Sequence, residues 1–222
     1  MPPQDFRPLL EAETRKAGLG LTRTILDRLE GHYRLLVKWN RAVRLAGDVD
    51  PQVVVRRHFM ESLALLPLIH EPRGSLLDIG SGNGFPAIPI KCVLTDLRVG
   101  MLEPTLRKSV FLATVAQELK LKECEVTRSR VDRPQDLARL GRWDCITMRA
   151  VAAIPAVLAG APSALRPQGR VLFMVGEAGR AEILRRLAAP LELVTCQPLA
   201  NADASYLVVI GLSSSTSNHA IH

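Results

Sequence analysis

The residues with the clearest chemical meaning form a glycine-rich turn that follows a short apolar run. The run covers residues 75–79, and glycine then occupies every second position. The stretch reads Asp78-Ile79-Gly80-Ser81-Gly82-Asn83-Gly84-Phe85-Pro86. Glycines adopt positive φ readily and let a ligand approach the backbone closely. A strand that leads into such a turn, with a helix able to begin after Pro86, predicts a ligand crevice at the carboxyl ends of the strands of an open α/β sheet.

Two cofactor classes use a turn of this kind, and the glycine spacing separates them. Dinucleotide-binding proteins have G-x-G-x-x-G, whose third glycine allows close helix–strand packing beside a pyrophosphate bound at the helix N-terminus. Here the spacing is G-x-G-x-G, and Phe85 occupies the position of the third dinucleotide glycine. Its bulk would crowd a pyrophosphate, but it can pack against a thioether or an amino-acid group.

Two acidic residues at strand ends add to this pattern. Asp78 can accept a hydrogen bond from an ammonium group or an ordered water, and Glu103, after the apolar run 99–102, can accept two from a ribose diol. An acid before three glycines and a second acid one strand later favour S-adenosylmethionine over a nicotinamide dinucleotide. A nicotinamide-dependent oxidoreductase is the least favoured alternative, because of Phe85. The cofactor-binding candidates on this basis are Asp78, Gly80, Gly82, Phe85 and Glu103.

The elements expected around this turn are a helical N-terminal part and an α/β domain. Apolar residues recur near a 3.6-residue spacing in residues 5–46, where Thr22 is predicted to be an N-cap three residues before Ile25. A second helical stretch over about 51–70 begins with Asp50-Pro51, a cap residue and a first-turn proline. From residue 75 short apolar runs alternate with helical stretches, which predicts a mostly parallel sheet covered on both faces. The predicted strands are 75–79, 99–102, 124–127, 143–148, 170–175, 191–196 and 205–212.

The end of the chain shows a different pattern. The last two strands are joined by the turn-rich residues 198–204, which predicts an antiparallel hairpin at one edge of the sheet. We therefore expect a helical N-terminal extension at 1–72 and an S-adenosylmethionine-binding α/β domain at 73–212. The Ser/Thr-rich residues 213–222 are predicted to be a disordered tail.

Composition narrows the class of protein. The 222 residues are 47% hydrophobic, yet no segment is long and apolar enough to span a bilayer. The first residues lack the charged segment and apolar run of a secretory signal, so we expect a cytoplasmic protein. The four cysteines form no CxxC pair, so neither a metal site nor a disulfide is expected. A formal charge of +7 predicts attraction to polyanions, whereas 4% aromatic residues are too few for a base-stacking platform.

Further motifs accompany the glycine turn at regular distances along the chain. They are Lys38-Trp39-Asn40 with Leu45; Arg57-His58 with Glu61-Ser62; residues 78–86 continuing to Ile88-Pro89; Glu103 with Lys108 and Phe111-Leu112; Ser129-Arg130-Val131; Asp144 with Arg149-Ala150-Val151-Ala152; and Leu207-Val208-Val209-Ile210. With these motifs the sequence resembles the small-subunit rRNA 7-methylguanosine methyltransferases, also called glucose-inhibited division protein B, up to about residue 212. Their order and spacing together are specific, whereas the glycine loop alone is not.

The resemblance implies a class I methyltransferase with a Rossmann-like, mostly parallel seven-stranded sheet and an antiparallel edge strand. It implies methylation of N7 of one guanine in the 530 loop of 16S rRNA, with 16S rRNA or the small ribosomal subunit as partner, and we expect a monomer. The cofactor contacts that it implies are Gly80, Phe85, Val131, Asp132 and Arg149. Arg130 and Arg149 resemble the family's arginines near the active site and are the catalytic candidates.

The sequence departs from the family pattern in four places. Glu61 stands where the family usually has Asp, and Leu45-Ala46 where a Thr usually follows Leu. Val175-Gly176 replaces Lys-Gly after the fifth strand, and Ser205-Tyr206 stands where an arginine often precedes the last strand. The two lost positive charges leave other readings open: a methyltransferase with a different RNA or small-molecule substrate, or a non-catalytic RNA-binding protein of the same fold.

The methyl transfer implied by the resemblance does not require acid–base catalysis. N7 of guanine carries a free lone pair, so no general base is required, and the enzyme chiefly orients the reactants. We expect Arg149 to hold the cofactor carboxylate or a target phosphate and Arg130 to contact RNA; a surface ion pair is the alternative for each. His58 is interpreted as joining the N-terminal helices to the sheet, and Trp39 as a core residue. The arginines expected to form a basic face within the rRNA footprint are Arg41, Arg44, Arg56 and Arg57.

Overall fold

The computed structural model of the protein describes residues 5–43, 45, 47–149, 152–199 and 205–213. The tail that we predict to be disordered lies outside these residues except for Ser213. Arg44, and the centre of the turn predicted at 198–204, also lie outside them.

Seven strands form one sheet in the described part of the chain. They are β1 (Ser75–Ile79), β2 (Arg98–Leu102), β3 (Cys124–Thr127), β4 (Trp143–Arg149), β5 (Leu165–Gly176), β6 (Leu191–Pro198) and β7 (Ser205–Leu212). The strand order is β3-β2-β1-β4-β5-β7-β6. The first five strands pair in parallel, and β7 runs antiparallel to both β5 and β6. The mostly parallel seven-stranded sheet and the hairpin at one edge are thus confirmed; within the hairpin β7 is the reversed strand and β6 the outermost one.

The strand order creates a crevice beside the carboxyl end of β1, where the site is predicted. β1 pairs with β2 on one side and with β4 on the other, so the chain winds in opposite directions from β1. In doubly wound sheets ligands bind at this reversal point, outside the carboxyl ends of the strands. The glycine-rich turn follows β1 directly and therefore lies at this point.

Helices cover both faces of the sheet. The α-helices of the described residues are α1 (Phe6–Lys16), α2 (Arg23–Val43), α3 (Pro51–Val53), α4 (Glu61–Leu63), α5 (Ala87–Val93), α6 (Leu106–Glu118), α7 (Pro134–Ala138), α8 (Ile154–Ala164) and α9 (Glu177–Arg186). A π-helical segment, Val54–Met60, joins α3 to α4, and a 3-10 turn covers Leu66–Leu68. The turns of a π-helix are wider than those of an α-helix. Such segments are rare in proteins and are found frequently at functional sites.

The helical N-terminal part differs in detail from the sequence prediction. The stretch predicted at 5–46 is two helices, because Gly18 takes a φ of 71° and the chain turns there before α2. The predicted cap at Asp50 is confirmed, since its carboxylate accepts hydrogen bonds from the backbone N–H groups of Gln52 and Val53. The stretch predicted over 51–70 is helical through Leu68 but divides into the segments given above.

Each face of the sheet buries its own apolar cluster, because side chains alternate along a strand. On one face Leu76 packs with Leu10 and Leu36 of the N-terminal helices and with Phe111 of α6. On the other face Leu77 packs with α7, α8 and α9. The N-terminal helices therefore share a continuous core with one face of the sheet, while the division into 1–72 and 73–212 stays a prediction.

Other features bear on which functions the fold can support. None of the helices in the described ranges is both long and apolar enough to cross a membrane. The described residues contain no group of His, Cys, Asp and Glu arranged to hold a metal ion. Burial raises the pKa of the Cys92 and Cys145 thiols to about 12, so both remain protonated and pack as small apolar side chains.

Candidate functional site

A cavity of about 740 Å³ lies at the carboxyl ends of β1, β2 and β4. Seven of the residues singled out from the sequence line it: Gly80, Gly82, Glu103, Arg130, Val131, Asp132 and Arg149. Residues from β1, from the segments after β2 and β3, and from the start of α8 complete the wall. Its volume falls within the range of about 300–1,000 Å³ that is typical of small-molecule sites. Asp78 and Phe85 are the two predicted residues that do not line the cavity.

The glycine loop takes its shape from positive φ angles and from backbone hydrogen bonds to the end of β2. Gly80, Gly82 and Gly84 have φ of 73°, 54° and 86°. The N–H groups of Gly80 and Ser81 both donate to the Leu102 carbonyl at 2.9 Å. A Cβ on Gly84 would lie 2.3 Å from Ile88 Cδ1, whereas one on Gly82 would meet only the Gly80 carbonyl, at 3.8 Å. Gly84 therefore serves packing, and Gly82 leaves the backbone open to the cavity.

Glu103 connects this loop to the end of β2. Its side-chain Oε2 accepts from the Gly82 N–H at 3.0 Å, and Oε1 accepts from the Thr105 N–H at 2.8 Å. The residue is only 4% exposed, so its carboxylate is held in one orientation. A carboxylate has about four acceptor positions. Each oxygen of Glu103 therefore retains capacity for a ligand hydroxyl at the cavity wall.

Asp78 lies beneath the loop, at the end of β1, and is 1% exposed. Oδ1 accepts from the Thr147 hydroxyl at 2.8 Å, while Oδ2 is buried with no partner among the described residues. Burial raises the pKa of this carboxyl to about 7, although the Thr147 hydrogen bond and the charge of Arg149 act in the other direction. Asp78 is therefore a buried carboxyl close to its titration point at neutral pH, next to the cavity and not in its wall.

Arg149 ends β4 and connects the cavity to the N-terminal helices. Its Nη2 lies 2.9 Å from Glu61 Oε2, in an ion pair, and donates a hydrogen bond to the Arg57 carbonyl at 3.0 Å. Its Nη1 is buried and has no partner among the described residues. Burial lowers the pKa of Arg149, and the charge of Glu61 opposes that shift. Sequence reasoning quoted Glu61 as part of a motif but assigned it no role; an acid on an otherwise apolar helical face was the signal that could have found this pair.

Phe85 lies on the side of the loop that faces away from the cavity. It is 7% exposed and packs against the rings of His32, His58 and Phe59, at centroid distances of 4.7, 5.0 and 5.1 Å. The His32 ring Nε2 also lies 2.8 Å from the Asn83 carbonyl oxygen. This aromatic cluster fixes the loop to the N-terminal helices. A cofactor contact by Phe85 stays a prediction.

The two histidines of this cluster remain neutral over the physiological pH range. Burial lowers the pKa of His32 to about 4, and burial together with the charges of Arg149 and Arg57 lowers that of His58 to about 4. His58 lies between the N-terminal helices and the loop, but it joins them by stacking on Phe85 and not by the hydrogen bond that the sequence interpretation expected, since its Nδ1 is buried without a partner among the described residues. Trp39 packs edge-on against Phe111, in agreement with the core interpretation.

The segment after β3 forms another wall of the cavity. Val131 is 2% exposed, whereas Asp132 and Arg130 are exposed at the rim. Arg130 Nε lies 3.6 Å from Asp132 Oδ1, a distance at which an exposed ion pair contributes about 0–1 kcal/mol. Arg130 is therefore free to exchange this partner for another anion at the mouth of the cavity.

Comparison with known proteins identifies the family. The chain is 37% identical over 182 residues to ribosomal RNA small subunit methyltransferase G of Desulfitobacterium hafniense, covering 81% of this chain and 75% of that protein. It is 34% identical to the protein of the same name from Geotalea uraniireducens, over 92% of this chain and 95% of that one.

Solved structures share the fold at lower identity. TrmN from Thermus thermophilus matches 71% of this chain and 53% of its own, with a TM-score of 0.59 and 19% identity. Magnesium protoporphyrin IX methyltransferase from Synechocystis, solved with bound SAM, matches 82% of this chain and 97% of its own, with a TM-score of 0.58 and 15% identity. A family model described as rRNA small subunit methyltransferase G matches residues 25–197. The chain therefore belongs to the rRNA small subunit methyltransferase G family.

Proposed function

We propose that this chain transfers a methyl group from S-adenosylmethionine to N7 of a guanine in the 530 loop of 16S rRNA. The observation that carries the proposal is one cavity that combines a glycine loop and a fixed carboxylate on one side with Arg130 and Arg149 on another. The first pair of features suits a nucleoside, and the arginines suit the anionic groups of the cofactor and the RNA. Membership of an rRNA methyltransferase family supports the same reaction.

The residues present fit the cofactor. Gly82 lets a ligand approach its backbone, and Glu103 offers unused acceptor positions for the two hydroxyls of a ribose. Val131 and Asp132 supply an apolar surface and an acceptor to an adenine, and Arg149 supplies N–H donors to a carboxylate. When bound, S-adenosylmethionine supplies an activated methyl group on a sulfonium.

The role of the protein in the reaction is orientation and charge. Because N7 of guanine has a free lone pair, no residue has to remove a proton from it before the methyl group is transferred. The neutral His58 and the buried Asp78 are therefore assigned to the architecture of the site and not to proton transfer. Holding two reactants in line lowers the barrier by several kcal/mol.

The rRNA surface is assigned to exposed basic residues, of which Arg130 lies at the cavity and the others lie on the N-terminal helical segments. Arg41, Arg56, Arg57 and Arg130 are exposed. The two departures from the family pattern that lose a positive charge, at Val175 and at Ser205-Tyr206, lie on neighbouring strands, where Val175 of β5 pairs with Tyr206 of β7. Arg180 lies over the Tyr206 ring at 4.9 Å, so a guanidinium remains at this end of the sheet.

The decisive experiment is methyl transfer to small ribosomal subunits from a strain that lacks this gene, with labelled S-adenosylmethionine. We expect one methyl group per subunit, at N7 of a single guanine in the 530 loop, located by mass spectrometry of RNA fragments. Subunits from the parent strain, already modified, are the matched control and should accept no label. Label at another RNA position would show that the substrate is a different nucleotide from the one proposed. No transfer to any RNA would overturn the proposal.

We also propose that the protein acts as a monomer in the cytoplasm, where its rRNA substrate is assembled. Light scattering during gel filtration should give a mass near 24.3 kDa. A mass near twice that value at micromolar concentration would contradict the monomer.

A further inference from the structure

The contact between Glu61 and Arg149 joins two parts of the molecule that are distant in sequence. Arg149 ends β4 and lines the cavity, and Glu61 begins α4 in the helical N-terminal part. The Glu61 side chain is 3% exposed and that of Arg149 is 20% exposed. A buried carboxylate and a mostly buried guanidinium are held here at 2.9 Å, between Glu61 Oε2 and Arg149 Nη2.

This ion pair does not use the full hydrogen-bonding capacity of either side chain. A guanidinium has five N–H donors and can bind a carboxylate through two parallel hydrogen bonds. Here a single nitrogen, Nη2, both lies in ion-pair contact with Glu61 and donates to the Arg57 carbonyl. Arg149 Nη1 and Glu61 Oε1 are buried and lack a partner among the described residues. An unsatisfied buried donor is costly, so Nη1 is a donor in need of an acceptor.

The geometry fixes which face of Arg149 is free. Glu61 and the Arg57 carbonyl, on α4 and the π-helical segment, hold Nη2 from the N-terminal side. A long arginine side chain loses considerable rotamer freedom when it is held in this way. With that freedom already lost in the ligand-free protein, an acceptor that enters the cavity meets a guanidinium that is ordered in advance.

The charges around Arg149 favour an anionic acceptor. Arg57 and Arg149 carry two positive charges against the one negative charge of Glu61, and the neighbouring His58 is neutral because burial lowers its pKa to about 4. Asp78, the other carboxyl near Arg149, has a pKa raised by burial to about 7 and is only partly ionised at neutral pH. The local balance is therefore positive where Arg149 borders the cavity.

We propose that Glu61 is the positioning residue of Arg149: it holds the guanidinium so that its remaining N–H groups bind an oxyanion of the reactants. This inference rests on the proposed function, because the oxyanion is either the carboxylate of the cofactor or a phosphate of the target RNA. Glu61 touches neither reactant and acts through Arg149. The N-terminal helices are thereby given a part in the site beyond covering the sheet.

The test uses Glu61→Gln, which keeps the shape of the side chain and removes its charge. Two cofactor probes are compared by calorimetry: S-adenosylhomocysteine, and 5′-methylthioadenosine, which lacks the amino-acid portion. If the oxyanion is the cofactor carboxylate, affinity for the first falls about tenfold while affinity for the second is unchanged. If it is an RNA phosphate, both affinities are unchanged and KM for the small subunit rises about tenfold.

Two further variants separate positioning from a general structural role. In an Arg149→Ala background, Glu61→Gln should produce no additional change, because the residue through which it acts is absent. Glu30→Gln is the matched control: Glu30 pairs with Arg7 between the N-terminal helices α2 and α1, at 3.1 Å, and lies outside the cavity wall. It should leave both affinities and KM unchanged. If Glu61→Gln does not fold, Glu61→Asp keeps the charge, retracts it by one methylene, and should give a smaller loss in the same direction.

Three results would overturn the inference. One is a Glu61→Gln variant with unchanged affinities and unchanged KM. Another is an equal loss for the two probes, which indicates a deformed cavity. The third is an effect of Glu61→Gln that persists without Arg149. None of these results bears on whether the wild-type protein methylates the 530 loop, so the proposed function can stand while this inference fails.

Discussion

The two ends of strands β1 and β4 differ in how completely their polar side chains are hydrogen-bonded within the protein. At the amino end, the Asp144 carboxylate accepts from the Ser75 N–H at 2.8 Å, the Ser75 hydroxyl at 2.7 Å and Arg166 at 3.2 Å. At the carboxyl end, Asp78 Oδ2, Glu61 Oε1 and Arg149 Nη1 are buried without partners in the described part of the chain. The remaining buried side-chain atoms without partners belong to His32, His58 and Asn83, around the same glycine loop.

This difference separates groups that maintain the fold from groups that are available to a ligand. Buried polar atoms in native proteins are nearly always hydrogen-bonded, and exceptions call for an explanation. Here the exceptions gather at one end of the sheet, which is also where the cavity lies. We therefore assign a stabilising role to the hydrogen-bonded amino end, and the carboxyl end is the one that we propose binds the reactants.

The largest expected effect is at Glu103, where Glu103→Ala would remove the fixed carboxylate from the functional end. Two charge-assisted hydrogen bonds to a ribose, each contributing about 1.5–3 kcal/mol, would be lost, so affinity for S-adenosylhomocysteine should fall by about 100-fold or more. Calorimetry measures this directly. Glu125→Ala, at an exposed carboxylate on the neighbouring strand β3, should leave affinity unchanged. An affinity within about threefold of wild type for Glu103→Ala would exclude Glu103 as the ribose acceptor.

An intermediate effect is expected at the opposite end of β4. Asp144→Asn should lower the free energy of unfolding by about 1–3 kcal/mol, because the Ser75 N–H, the Ser75 hydroxyl and Arg166 lose a charged acceptor. Affinity for S-adenosylhomocysteine should not change. Urea unfolding and calorimetry on the same preparation check both statements. A loss of affinity without a loss of stability would contradict the contrast between the two ends.

The third expected effect is the pH dependence of stability contributed by Asp78, which is modest over any one pH unit. Its folded-state pKa, about 7, lies above the ordinary value of 3.8, so the folded protein binds this proton more tightly than the unfolded chain. The contribution of Asp78 to stability therefore falls as pH rises from about 4 to about 7. Across this window the free energy of unfolding of Asp78→Asn, relative to that of wild type, should rise by up to about 1.4 kcal/mol per pH unit. Urea unfolding at several pH values measures this difference.

Asp136 provides a control of opposite sign for the pH experiment. Hydrogen bonds from the Arg133 backbone lower the pKa of Asp136, so its contribution to stability is present above pH 3.8 and is lost as pH falls further. The difference in the free energy of unfolding between Asp136→Asn and wild type should therefore be the same at pH 5 and at pH 7. A stability difference between wild type and Asp78→Asn that did not change between these two pH values would contradict a raised pKa for Asp78.

Sequence reasoning succeeded where the signal is local. The spacing of Gly80, Gly82 and Gly84 predicted a turn at a strand end, and all three have the positive φ that favours glycine. The alternation of apolar runs and helical stretches predicted the sheet, because each strand must be covered on both faces. The start of α2 was predicted from Thr22, whose hydroxyl accepts from the Ile25 N–H at 3.4 Å, whereas the turn at Gly18 before it was not predicted.

Contacts between distant segments could not be predicted in the same way. Glu61 and Arg149 are 88 residues apart, and their pairing depends on how the N-terminal helices pack on the sheet. Phe85 was assigned by its position in a motif, yet the structure packs it among His32, His58 and Phe59, because the loop turns this side chain toward the helical part.

The sequence by itself determined the strand–turn–helix unit, the order of the elements and the choice of cofactor class, because these follow from backbone preferences and from the spacing of residues along one segment. Only the tertiary structure decided which polar atoms are saturated and which remain available. That outcome depends on burial and on partners contributed by other segments, and both are fixed only when the helices and the sheet pack together.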